Sequence, residues 1–332
     1  MNLIITIILA LLISYLFSLL AKKIRIPYVV ALIISGLFIG FPAVKEIIIE
    51  PNTEFVFNLG NIALICLMFL AGLESSWRTF YNEKKDAAFI AVFAAFVPFL
   101  FGFILFKILG FSLLASLISG VCMSITAEAT KARVLLGLSK LKTKIGSAMM
   151  AAGIIDDMLG LFLFILINYI FKEFYFKENL LIILSITAFF TGILIQKSLS
   201  RKHPKLKILE QSLLWLVIPF FFISMGIHFD LNSLILNPFL AIIVVLIAII
   251  GKLIGTLLTK PFLKLKWKQL HLIGWGMNSR GAVELALALI AFRTNLIPTE
   301  IYSSLVVMAL TTTLIFPFVI EVMIKRNPRI MN

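Results

Sequence analysis

Apolar runs of roughly twenty residues follow one another along this 332-residue chain, parted by short polar turns. A helix of that length crosses a hydrocarbon core of about 30 Å. We read about eleven such spans, at 3–21, 27–41, 55–73, 87–109, 111–136, 145–171, 179–199, 209–227, 238–259, 271–293 and 299–324. The second is short. None shows the alternation of a barrel strand, and in lipid only helices or closed barrels satisfy their own backbone. The expected fold class is therefore an all-α polytopic membrane protein, a single membrane domain over 1–332.

Composition agrees: 61% of residues are hydrophobic and 14% charged. The net charge of +14 would suggest nucleic acid in a soluble protein. Its distribution argues otherwise, and no nucleic-acid partner is expected. Lys22, Lys23 and Arg25 follow span one; Arg78, Lys84 and Lys85 follow span three. Lys140, Lys142 and Lys144 follow span five, and Lys197, Arg201, Lys202, Lys205 and Lys207 follow span seven. Lys260, Lys264, Lys266 and Lys268 follow span nine, and Lys325, Arg326 and Arg329 the last. The other loops carry almost none: Lys45 stands among Glu46, Glu50 and Glu54, and Lys172 and Lys177 among Glu173 and Glu178. By the positive-inside rule this multi-pass chain of the cell (inner) membrane has its N-terminus outside and its C-terminus cytoplasmic. No basic n-region precedes the first run, which is expected to remain as a span. No soluble domain is expected after the last. Cys66 and Cys122 read as packing residues, and His203, His228 and His271 as solvated groups near span ends.

Two spans are interrupted. Span five contains Ser124-Ile125-Thr126-Ala127-Glu128-Ala129-Thr130-Lys131, and span ten Gly274-Trp275-Gly276-Met277-Asn278-Ser279-Arg280-Gly281-Ala282-Val283-Glu284. Irregular backbone is tolerated at membrane depth only where it is buried or lines a cavity. Paired interrupted helices in two halves mark a transporter's binding site. Spans four to six and nine to eleven enter from opposite sides, each with the interrupted helix in the middle, which is an inverted repeat in topology. A continuous helix with hydroxyls bonded back to backbone is the alternative for span five taken alone. Glu128 and Arg280 are read as compensating the partial charges of half-helix ends, with direct ion binding by Glu128 left open. Glu284, one turn past Arg280, is expected to pair with it.

Asp156 and Asp157 lie within the apolar span six, and Lys252 midway along span nine, too deep to snorkel. Charge at that depth costs at least a few kcal/mol, so it faces a protein interior or a water-filled cavity. Neighbouring helix residues point about 100° apart. One aspartate can pair with Lys252 while the other faces the broken helix. Gly251 and Gly255 would let backbones approach there. Burial disfavours the charged forms of carboxylate and lysine and an opposite charge favours them, so protons and a hard cation can compete for the same oxygens. Asp157, Ser124 and Thr126 could supply those oxygens, and Asp157 with Asp156 would hold a monovalent sodium ion. A buried ion pair fixing helix register accounts for one aspartate and leaves the second unexplained.

Seven stretches taken in order resemble the monovalent cation:proton antiporter-2 family: Gly36 to Gly40 with Phe41-Pro42, Phe69 to Glu74, Ser124 to Thr130, Asp156-Asp157, Pro219 to Gly226, Gly251-Lys252, and Met277 to Gly281. The resemblance implies two crossed discontinuous helices in an ion-translocation core (87–171 and 238–324) beside dimerisation or scaffold helices (1–86 and 179–237), working by elevator-like alternating access. It implies that Asp157 carries ion and proton, and that Asp156 pairs with Lys252. The double aspartate with this lysine resembles the electrogenic type. About two helices usual to the family between the aspartate helix and the Phe-Phe-Phe helix are missing, which leaves the homodimer open.

The resulting expectation is antiport of Na+ (or Li+) against H+ in a lipid bilayer, for pH homeostasis, with no cofactor and no enzymatic activity. K+/H+ exchange is the nearest alternative; an organic-anion symporter or a non-transporting scaffold stand further off. An intramembrane aspartyl protease would need carboxylates from facing helices, whereas these two diverge.

Overall fold

A computed structural model describes residues 3–24, 26–74, 77–141, 143–171, 180–198 and 204–331, with backbone alone for 77–85, 129, 204–205 and 282. The basic residues Arg25, Lys142, Arg201 and Lys202, His203, and the mixed-charge stretch 172–178 lie outside the described residues.

In chain order the helices are α1 (Leu3–Lys23), α2 (Tyr28–Gly40), α3 (Pro42–Ile48), α4 (Thr53–Glu74), α5 (Trp77–Ile108), α6 (Leu113–Ser124), α7 (Glu128–Gly137) and α8 (Lys144–Ile170). They continue as α9 (Leu180–Ser198), α10 (Pro204–Ser212), α11 (Ile218–Ile227), α12 (Leu231–Leu236), α13 (Pro238–Leu258), α14 (Trp267–Gly276), α15 (Ala282–Arg293) and α16 (Thr299–Arg326). The fold is all-α, with no strand among the described residues. Among the described residues, eight helical segments are long and apolar enough to cross a membrane. The pair α2 and α3, bent by 82° at Phe41-Pro42, makes a ninth when counted as one span. The broken pairs α6/α7 and α14/α15 supply the remaining two of the eleven. The basic residues Arg78, Lys84 and Lys85, expected in a loop, fall on the first turns of α5, which begins at Trp77. A wide π-type turn, Leu213–Val217, joins α10 to α11 just before Pro219, where the missing N–H breaks the regular ladder.

Membrane helices turn small and polar residues inward and large apolar ones outward, because lipid is as apolar as leucine and close backbone packing does the binding. Helix α1 follows that rule. Thr6, Ala10, Ser14, Ser18 and Ala21 are buried, while Ile4, Ile8, Leu12, Leu16 and Leu20 are exposed. So does α13, whose inner face is Ala241, Val244, Ala248, Gly251, Lys252, Gly255 and Thr256, and whose outer face is Phe239, Ile242, Leu246 and Ile250.

The chain divides into two compact units. One comprises Met1–Glu74 and Leu180–Asp230, the other Ser75–Asn179 and Leu231–Asn332. In the first, α4 packs on α9, and α11 on both α2 and α4. In the second, α5 packs on α6, α8 and α13, and α16 on α13, α14 and α15. The second unit carries the repeat: α5, α6/α7 and α8, then α13, α14/α15 and α16. Five spans separate the starts of the two triplets, so they run in opposite senses. Gly251 and Gly255 admit a neighbour, as the spacing suggests, but that neighbour is α5 rather than the aspartate helix. A Cβ at Gly251 would lie 2.9 Å from Pro98 Cα, and one at Gly255 would overlap the carbonyl oxygen of Phe93. Cys66 and Cys122 are free thiols.

Candidate ion-translocation site

The site is built on the two helix breaks. Helix α6 ends at Ser124, where Ile125 turns extended (φ −76°, ψ 150°), and α7 begins at Glu128. Helix α14 ends at Gly276, and α15 begins at Ala282 after extended Gly281. Each break strips backbone groups of their partners, a loss that cannot be made good by lipid. The breaks cross and satisfy one another. Ala127 N–H donates to the Ser279 carbonyl (2.8 Å), and Ser279 Oγ donates to the Ala127 carbonyl (2.9 Å). Thr313 of α16 fastens the second break by donating from Oγ1 to the Arg280 carbonyl at 2.8 Å.

The last carbonyls of α6 point into this crossing and collect cations. Arg280 donates from NH1 to the Ile125 carbonyl at 2.6 Å. Lys252 donates from Nζ to the Ser124 carbonyl. A helix C-terminus carries a partial negative charge of about half a unit, and both cations sit against it. Carboxylates stand at the opposite ends: Glu128 is the first residue of α7, and Glu284 lies in the first turn of α15.

Asp156 and Asp157 are both buried, on α8, at 0% and 1% exposure. The 100° between them separates their partners. Asp156 Oδ2 meets Lys252 Nζ at 2.9 Å and accepts from Thr126 Oγ1 at 2.5 Å. Asp157 makes no ion pair among the described residues, and its Oδ1 has no hydrogen-bond partner. Ser124 turns its hydroxyl back on its own helix, donating to the Val121 carbonyl at 2.7 Å, and offers its carbonyl to Lys252 instead. Arg280 NH1 stands 3.8 Å from Glu284 Oε2.

All the residues singled out in the sequence thus come together at one crossing. One further charged group joins them. Lys131, fully buried, meets Glu128 Oε1 at 2.8 Å and donates to the Met149 carbonyl of α8 at 2.9 Å. It lies within the interrupted stretch of span five, where its depth in an apolar run is the one signal the sequence carries for it. Thr313 gave no signal, since a threonine in an apolar helix commonly bonds its own backbone.

The fully buried charged side chains of the described residues are Glu128, Asp156, Asp157 and Glu284 against Lys131, Lys252 and Arg280. Four acids face three bases. Three pairs form, and Asp157 is the carboxylate left over. Uncompensated charge in such surroundings is costly, so this group calls for a proton or a cation.

The sequence matches the profile of a family described as sodium/hydrogen exchanger, transmembrane, over residues 7–208 and 174–326. It is similar to a Na(+)/H(+) antiporter of Enterococcus hirae, 25% identical over 92% of this chain and 94% of that one. It is also similar to the Na(+)/H(+)-K(+) antiporter GerN of Bacillus cereus, 26% identical over 88% of each. Its fold resembles that of the sodium proton antiporter MjNhaP1 from Methanocaldococcus jannaschii, with a TM-score of 0.66 and 17% identity over 96% of this chain and 95% of that one. With two crossed broken helices, an inverted repeat and a profile match along nearly its whole length, the chain belongs to the sodium/hydrogen exchanger family of membrane transporters, and is not an enzyme.

Proposed function

We propose that this chain exchanges Na+ for H+ by alternating access, with Asp157 as the group that carries each in turn. The observation that carries this reading is the excess carboxylate: among the described residues, Asp157 is the one buried acid without a cation. A proton or a sodium ion neutralises it equally well, and each excludes the other. That exclusion is the coupling. Neutralised, the core can pass an apolar barrier; charged and empty, it cannot, and occupancy biases the equilibrium between the two faces. The remaining oxygens of a hard-cation shell would come from Asp156 Oδ1, Thr126 and the break backbone. The Na(+)/H(+) antiporter relatives support sodium as the substrate.

The Asp156–Lys252 pair is the coupled element of this reading. Sodium arriving beside Asp156 loosens its hold on Lys252, which then surrenders a proton, so that net charge moves and exchange is electrogenic. The second compact unit is the moving core and the first the scaffold, with the basic loops on the cytoplasmic face.

The test is reconstitution into liposomes with proton flux recorded on adding sodium, lithium or potassium. Sodium-driven flux that accelerates with membrane potential and vanishes in Asp157→Asn supports the reading. Flux with potassium keeps the mechanism and changes the ion, as the name of the Bacillus cereus relative allows. No flux with any monovalent cation overturns it.

A further inference from the structure

The third buried pair, Glu128 with Lys131, stands apart from both the Asp157 exchange and the Asp156–Lys252 coupling. The pair lies flat on α8 over Gly153, where a Cβ would overlap Glu128 Oε1 and stand 2.5 Å from Lys131 Nζ. Only a residue without a side chain admits it. Gly153 lies one turn before Asp157, about 6 Å along the axis. Helical side chains lean toward the N-terminus, so Asp157 leans over the turn on which Glu128 rests. Glu128 Oε2 and Asp157 Oδ1 are both buried and neither has a hydrogen-bond partner. Lys131 is held on its far side by the Met149 carbonyl at 2.9 Å and stands 3.7 Å from Met277 Sδ, so it has somewhere to stay if Glu128 leaves it.

Resting on the exchange reading, we propose that Glu128 is a second carboxylate ligand of the transported monovalent cation, shared with Asp157, and that Lys131 is a tethered cation competing for it. Before the ion arrives, Lys131 neutralises Glu128. When a desolvated sodium-sized ion enters between the two carboxylates, Glu128 turns to it and Lys131 keeps its backbone carbonyl. The competition weakens sodium affinity, which favours release on the sodium-rich side.

The experiment measures the sodium KM and Vmax of proton flux in proteoliposomes for the wild type, Glu128→Gln, Lys131→Met and the double variant, with thermal stability in detergent alongside. Loss of one charged ligand should raise the KM of Glu128→Gln about tenfold, with Vmax held at saturating sodium. Lys131→Met, which removes the competitor, should lower KM several-fold. The double variant should follow Glu128→Gln in KM while restoring stability lost in either single variant, since no unpaired charge remains. Unchanged KM in the double variant, with only Vmax or stability altered in the single ones, would overturn the proposal and leave a structural pair. A wild type without cation-driven flux would overturn the exchange reading itself, and this inference with it.

Discussion

Lys252 of α13 and Asp156 of α8 meet at 2.9 Å, the first helix of one repeat holding the last helix of the other. The same ammonium holds the end of α6 through the Ser124 carbonyl. Truncating Lys252 therefore leaves a buried carboxylate without its cation and a helix end without its donor. Lys252→Ala should cost about 3–5 kcal/mol, seen as a lowered melting temperature in detergent. Asp156→Asn combined with Lys252→Met should recover most of that loss. In liposomes the single variant should retain exchange but lose its response to membrane potential. A potential response that survives would remove Lys252 from the charge-moving step.

Asp157 presents the opposite case. It has no ion pair to lose, and its Oδ1 is unsatisfied. Asp157→Asn removes a buried uncompensated charge at constant volume, so the protein should melt no lower than the wild type. Its exchange should be abolished. Stability and activity are expected to part company at this residue, and flux retained by a well-folded Asp157→Asn would end the carrier assignment.

Much of this architecture was legible in the sequence, because a polar residue in a run otherwise selected for lipid stands out. The spans followed from length alone. Both breaks followed from glycine and hydroxyl residues clustered inside apolar helices, and Asp156, Asp157 and Lys252 from their depth. Less legible were the contacts whose partners lie on other spans. Lys131 reaches the backbone carbonyl of Met149, and no spacing in the chain announces a carbonyl. Gly251 and Gly255 signalled a close approach without naming α5 as the neighbour. Thr126 reads in the sequence as a source of cation oxygens beside Asp157, and its hydroxyl donates to Asp156. Which aspartate a threonine meets depends on the few residues of extended backbone at the break, and periodicity does not specify those.

At the crossing, Ser279 Oγ donates to the Ala127 carbonyl, and the Ala127 N–H returns the bond to the Ser279 carbonyl. Ser279→Ala keeps the backbone bond and strands one buried carbonyl acceptor. The expected loss is about 1–3 kcal/mol. Because the crossing positions Thr126 and Arg280 as well as itself, turnover should fall several-fold while the variant remains folded. Melting curves and initial flux rates on one preparation would separate the two effects. A variant with wild-type turnover would show that the backbone bond alone holds the crossing.

The packing of α13 on α5 gives a test independent of any charge. Gly255 faces the carbonyl oxygen of Phe93, and its neighbouring glycine, Gly251, faces Pro98. Backbone cannot yield as a side-chain tip can, so Gly255→Val must push the two helices apart. Overpacking of this kind typically costs about 1–3 kcal/mol. The displacement would also carry Lys252, on the same helix, away from Asp156. Gly255→Val should therefore resemble Lys252→Ala in losing the potential response, although it touches no charged group. Gly137→Val provides the comparison, since a Cβ at Gly137 meets nothing within 4 Å. That variant should leave flux and its potential response unaltered. Equal behaviour of the two valine variants would mean that the approach of α13 to α5 does not set the position of Lys252.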